Sequence, residues 1–174
     1  GGEAPPEIRL ELSMIIRVST EITRPSNTTA YSAGDVIGPT GGGSSLLTFY
    51  MPCSTIAIVG CQVTSSGTQD AASTLHFVTS DTYAPGVDNA TATLPAYADG
   101  FVTSVPMDYS LAASGTAMGV SGGGSFFTPM AYPVTLVNNR LSGALVANTG
   151  FPPASAQRFT ISVFVEVPDW VTGG

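Results

Sequence analysis

From Glu7 to Ile22 apolar and polar residues alternate with a period of two. Ile8, Leu10, Leu12, Met14, Ile16, Val18 and Ile22 fall on one side, and Glu7, Arg9, Glu11, Arg17 and Glu21 on the other. Successive side chains of an extended chain point to opposite faces, so this run specifies a long strand, or two in line, with one face buried and the other wet. The outer face, carrying both charge signs, is suited to lie against a partner.

Six further segments read as strands bounded by turn residues: Ser45 to Tyr50, Thr55 to Thr64, Thr74 to Thr79, Phe126 to Val137, Leu141 to Ala147 and Arg158 to Val167. Several are continuous apolar runs, as in sandwich cores. No window sustains a period of 3.6, and the 20 glycines and 13 prolines fall mostly between the strands. The expected fold is therefore all-β, an antiparallel β-sandwich of jelly-roll type. The glycine-rich stretches 41–44 and 119–125 read as loop tips, and Ser80 to Ser110 as a long excursion packed on itself or on a neighbour. At 174 residues, 43% of them hydrophobic, the chain suffices for one domain with a sizeable core. The division expected is a short extended arm over residues 1–7, containing Pro5-Pro6, followed by a single domain over 8–174. A Pro-Pro pair favours an extended, low-entropy conformation able to reach over a neighbour.

Charged residues make up 10% of the chain, against about a quarter in ordinary soluble proteins. All five basic residues are arginines: Arg9, Arg17, Arg24, Arg140 and Arg158. A lysine-free, weakly charged surface suits packing against other protein. The net charge of -7, with no basic patch, argues against nucleic-acid binding. No segment approaches the roughly 20 consecutive apolar residues of a membrane span, and no leader pattern opens the sequence, so neither membrane nor export is expected. Cys53 and Cys61 flank one expected strand; extended, they would lie roughly 20 Å or more apart, and two reduced thiols in or near the core are expected.

Between Ile22 and Gly38 the sequence reads ITRPSNTTAYSAGDVIG. Pro25 removes a ladder donor and ends the strand, Ser26-Asn27 supplies turn chemistry, Tyr31 offers an apolar body with a polar tip, and Val36-Ile37 re-enters a sheet before Gly38-Pro39 breaks it. This segment, together with Ser73 to Ala90 and Arg140 to Val167, resembles tailed-bacteriophage virion structural proteins of the capsid decoration or cement type. The order matches: an ITRP-and-TAY arm, a strand carrying Leu75-His76-Phe77 that leads to an Asp88-Asn89-Ala90 turn, then two C-terminal strands joined by a proline-containing loop. The resemblance spans residues 20–167 and carries over no catalytic residue.

Patterns of chemistry elsewhere are weak. Gly119-Val120-Ser121-Gly122-Gly123 matches the serine-hydrolase pattern without the strand-to-helix turn that exposes the nucleophile, and the sole histidine, His76, precedes it rather than following. His76 reads as a sheet-surface residue. With Cys53 and Cys61 it has no metal-ligand spacing, and Asp81, Asp88 and Asp99 lack that of a calcium loop, leaving them as solvated turn carboxylates. Asn27 and Asn89 begin glycosylation patterns, but that reading needs secretion, which the sequence does not support, and turn-forming Asn explains both. No cofactor or metal is expected.

The resemblance implies a non-enzymatic virion protein: a decoration (cement) subunit that binds and stabilises the phage head shell. Its implied partners are the major capsid protein and itself, as a dimer or trimer, and its implied location is the capsid surface, assembled in the host cytoplasm. Candidate interface residues are Pro5, Pro6, Arg9, Arg17, Arg24, Tyr31 and Trp170. The alternative is a carbohydrate-binding module of a phage fibre or secreted protein, using Tyr83, Tyr97 or Tyr109 as sugar platforms. A glycosidase would need two carboxylates across a cleft, and no sequence feature selects a pair.

Overall fold

The N-terminal alternation is realised as strand β1 (Ser13–Thr23), the first of nine strands in a computed structural model that describes residues 13–39, 43–67, 72–107 and 125–168. The others are β2 (Val36–Ile37), β3 (Leu47–Tyr50), β4 (Thr55–Ser65), β5 (Ser73–Val78), β6 (Phe101–Met107), β7 (Ser125–Thr135), β8 (Arg140–Ala147) and β9 (Arg158–Pro168). The described residues contain no α-helix, only a 3-10 turn at Tyr97–Asp99.

All strand pairings among the described residues are antiparallel. One sheet has the order β1-β9-β4-β7; in the other β2 and β3 both lie on β8, followed by β5 and β6. Four long-range pairs, β1 with β9, β2 and β3 with β8, β4 with β7, and β5 with β6, are thus dealt alternately into two facing sheets. That interleaving is the jelly-roll topology. The faces meet in one core, to which Ile56, Ile58, Val63, Phe159, Ile161 and Val163 contribute from the first sheet and Phe49, Leu75, Phe77, Met107, Leu141 and Leu145 from the second.

Two bulges reconcile the sequence with this core. The β4 segment Ile56 to Cys61 reads as a continuous apolar run, and a strict alternation would turn half of it outward. The register of β4 against β9 slips between Ile58 and Gly60. One added residue changes the parity, so Ile56 and Ile58 before it and Cys61 and Val63 after it all point inward. A second slip, at Val102 in β6, brings Val102 and Val105 to the same buried side although they lie three positions apart. This second bulge and Pro106 explain why β6 does not stand out in the sequence, where the whole of 80–110 reads as an excursion. Proline is tolerated here because β6 is a sheet edge, and the same reason admits Pro129 and Pro133 in the edge strand β7.

β8 is buried from Leu141 to Ala147. It is central in its sheet, and its outward face, at Ala144, is covered by Tyr83 from the 80–100 excursion. Gly143 is required in β8, since an added Cβ would stand 2.5 Å from the carbonyl oxygen of His76 on the neighbouring strand. β7 gives way to β8 through Asn138-Asn139, both at φ 54°, a tight left-handed turn at which the chain changes sheets.

Candidate functional site

Immediately after β1 the chain leaves the sheet and crosses one end of the sandwich, and the segments that carried the sequence resemblance meet there. Pro25 follows Arg24, whose backbone N–H donates to Gln157 O at 3.0 Å in the register of the β1–β9 ladder, one step beyond its last strand pair. The Arg24 side chain is fully buried. Its Nε donates to the Tyr31 hydroxyl, its Nη2 pairs with Asp88 Oδ2 at 3.4 Å and its Nη1 reaches Ala154 O at 3.5 Å. The guanidinium also lies over the Tyr31 ring, 4.5 Å from its centroid. Tyr31 in turn donates to Asp88 Oδ1, and the same oxygen accepts the Gly38 N–H at 3.0 Å. The Tyr31 ring also stacks on Phe151, with centroids 4.9 Å apart.

A guanidinium removed from water costs several kcal/mol, roughly, unless its charge and donors are matched. Here a carboxylate, a hydroxyl, a carbonyl and an aromatic face match them. Burial, reinforced by the acceptor on Asp88, pushes the Tyr31 hydroxyl well above its ordinary range, although Arg24 pulls the other way. It remains a proton donor at all physiological pH. Next to this cluster, Asp35 accepts the Ser32 N–H at 2.6 Å, and the Asn89 amide, oriented to suit its neighbours, donates to Asp35 Oδ2 and to Ala30 O, both at 3.2 Å. Asn89 holds a left-handed φ of 58°, which asparagine tolerates better than most residues. The arm 24–38, the turn at 88–90 and the proline-containing loop 150–157 are therefore tied together by a polar lock.

The lock corrects two expectations. Arg24 and Tyr31 are not surface contacts; they are turned into their own domain because Asp88 and Phe151 are there to receive them. Asp88 is not a solvated turn carboxylate. Asp99 caps the 3-10 turn by accepting the Ala96 N–H at 2.8 Å, and Asp81 pairs with Arg140 at 3.0 Å.

Of the remaining interface candidates, Arg17 is exposed on the outer face of β1, where Nε donates to Ser19 Oγ and Ser162 Oγ and the guanidinium lies 6.0 Å from the Phe164 ring. The same face carries Ile15, 62% exposed, and Glu21. Pro5, Pro6, Arg9 and Trp170 lie outside the described residues, as do Ser121 and Tyr109.

A shallow cleft of about 310 Å³ opens at one end of the second sheet, lined by Thr79, Ser80, Asp81, Ala98, Gly100 and Val137. Beside it the Arg140 guanidinium lies 5.7 Å from the ring of Tyr50. Tyr97, next to the lining residue Ala98, is almost fully exposed, whereas Tyr83 is buried with its hydroxyl donating to Thr93 O at 2.6 Å and so offers no platform. His76 sits half-buried on the outer side of β5, its Nδ1 2.6 Å from Ser104 Oγ, and burial lowers its pKa. Cys53 and Cys61 are buried free thiols, and burial pushes that of Cys61 up to about 12. Among the described residues no group of three His, Cys, Asp or Glu side chains could hold a metal ion.

No family model matches the chain, and no curated protein matches it in sequence. Among solved structures it is similar to a chain of the cyanophage Pam1 capsid asymmetric unit, at 14% identity and a TM-score of 0.36, covering 97% of this chain and 94% of that one. It is also similar to chains of the Israeli acute paralysis virus full particle heated to 63 degrees (14% identity, TM-score 0.30, 91% and 74% covered) and of the native Kashmir bee virus virion at acidic pH (16%, 0.30, 90% and 71%). All three neighbours are components of virus particles.

Proposed function

We propose that this protein is a structural, non-enzymatic virion subunit of the decoration or cement type, which binds the outer shell of a phage head as a homo-oligomer and bridges neighbouring capsid subunits. The observation that carries the reading is the convergence of the three resemblance segments on one buried lock. Arg24, Tyr31 and Asp88, drawn from an arm and a turn far apart in sequence, act together as a brace rather than as a reactive centre. A braced jelly roll is a rigid body, and a rigid subunit loses little freedom on docking. Binding only to the assembled shell would stabilise that state by mass action, and many identical contacts would add up over the particle.

The test is to mix the purified chain with phage heads that lack it and to measure both occupancy and the temperature at which the heads rupture. Saturable binding with a raised rupture temperature is expected. Binding to a glycan array with no affinity for heads would overturn the proposal in favour of a carbohydrate-binding module.

A further inference from the structure

Among the described residues the two sheets have four edges, and three of them are blunted. β7 carries Pro129 and Pro133, β6 carries Pro106 and a bulge, and the strands β2 and β3 at the remaining edge of the second sheet are only 2 and 4 residues long. β1 is different. It runs for 11 residues without proline or glycine, and among the described residues only β9 is hydrogen-bonded to it. β3 passes near it across the corner between the sheets without joining its ladder. A long unpaired edge is a template for another strand, and natural sheets cover or disrupt such edges.

The side chains along β1 indicate what covers it. We propose that β1 pairs antiparallel with β1 of a second copy of this chain, about a two-fold axis at Ser19, joining the two four-stranded sheets into one. In a symmetric antiparallel pair the residues opposite each other are equidistant from the axis. With Ser19 at the centre, Arg17 of each copy faces Glu21 of the other, so that one axis creates two opposite-charge pairs on the outer face. On the inner face Ile16 faces Ile22 and Val18 faces Thr20. A centre at Arg17 or at Glu21 would set like charges against each other, and one at Val18 or Thr20 would leave both charges opposite uncharged residues. Met14 and Ile15, 40% and 62% exposed, and the half-buried Ile16 and Val18 lie along the same edge and would gain cover.

The pairing deepens the proposed function, on whose self-association it rests, and its test separates the two. Sedimentation of the full chain at micromolar concentration should show a dimer. Arg17→Glu and Glu21→Arg should each weaken dimerisation about ten-fold or more, because each places like charges together at two symmetric positions. The double variant R17E/E21R should restore it, and an equimolar mixture of the two single variants should form a heterodimer, since every facing pair is then again opposite in sign. Wild-type chain that is monomeric, single variants that dimerise like wild type, or a double variant no better than the singles would each overturn the proposal. If a charge reversal does not fold, Glu21→Gln is the substitute: it should weaken the dimer several-fold, and an unchanged dimer counts against the pairing. Single variants that stay monomeric yet still decorate heads leave the structural role standing; a charge-dependent dimer without affinity for heads sinks that role and leaves the pairing.

Discussion

Arg17 and Arg24 lie seven residues apart in one stretch of chain and are put to opposite uses. Arg17 stands on an open strand edge, held by two serine hydroxyls and the rim of Phe164, and is free to meet a charge from outside. Arg24 lies just past the end of β1, immediately before Pro25, and it is enclosed by Tyr31, Asp88 and the carbonyl of Ala154. The difference is not in the arginine but in what the fold brings to it. Within the lock, removing one partner strands a charge in the interior. At the edge, water replaces whatever is lost. The first region therefore governs stability and the second association.

The strongest way to break this contrast is Asp88→Ala. It leaves the buried guanidinium without its counter-charge and should cost about 3–5 kcal/mol in denaturant unfolding, with Arg24→Met/Asp88→Leu recovering much of the loss. A cost below about 1 kcal/mol would mean that water reaches the cluster and that it is no lock. Tyr31→Phe keeps the ring on Phe151 and the guanidinium over its face but deletes the hydroxyl joining Arg24 to Asp88, and about 1–3 kcal/mol should be lost in the same measurement. Arg17→Ala should change unfolding free energy by no more than about 0.5 kcal/mol, since the residue is exposed, while lowering dimer affinity. A stability loss as large as that of the lock variants would erase the distinction between the two regions.

The smallest expected effect concerns pH. Burial depresses the pKa of His76 below its ordinary 6.5, so the folded state resists protonation more than the unfolded chain does. The contribution of His76 is therefore intact above about pH 6.5 and is lost as the pH falls toward the folded value. His76→Gln should flatten this acid-side decline in a series of melting curves between pH 7 and 5. An unchanged slope would assign the decline to other groups.

Much of the sandwich was legible because its causes are local. The period-two run announces β1, and turn residues bracket β3, β4, β5, β7, β8 and β9. β6 escaped because the bulge at Val102 spoils its alternation and Pro106 is a strand residue only at an edge, and edges are a property of the assembled sheet. The lock was less legible still. Tyr31 is 57 positions from Asp88, and Arg24 is 64 from it, so no window of sequence holds all three. The one available signal was that the arm and the Asp88-Asn89-Ala90 turn occur together in the resemblance, and it pointed to a relation without saying that the relation was physical contact. On sequence alone Asp88 therefore reads as a solvated turn residue, and Arg24 and Tyr31 as surface contacts.

The pairing of β1 with β9 also bears on how the chain reaches its fold. Ser13 lies opposite Pro168 and Thr23 opposite Arg158, so the first described strand finds its partner only in the last. During synthesis at about 5–20 residues per second, β1 waits unpaired on the order of ten seconds before β9 exists. Closing so long a loop places the chain among slow-folding β topologies, which take roughly milliseconds to seconds even once complete. An alternating apolar strand left bare for that interval is a target for chaperones and for other nascent chains, and the yield of folded subunit should depend on how well the cell shields it.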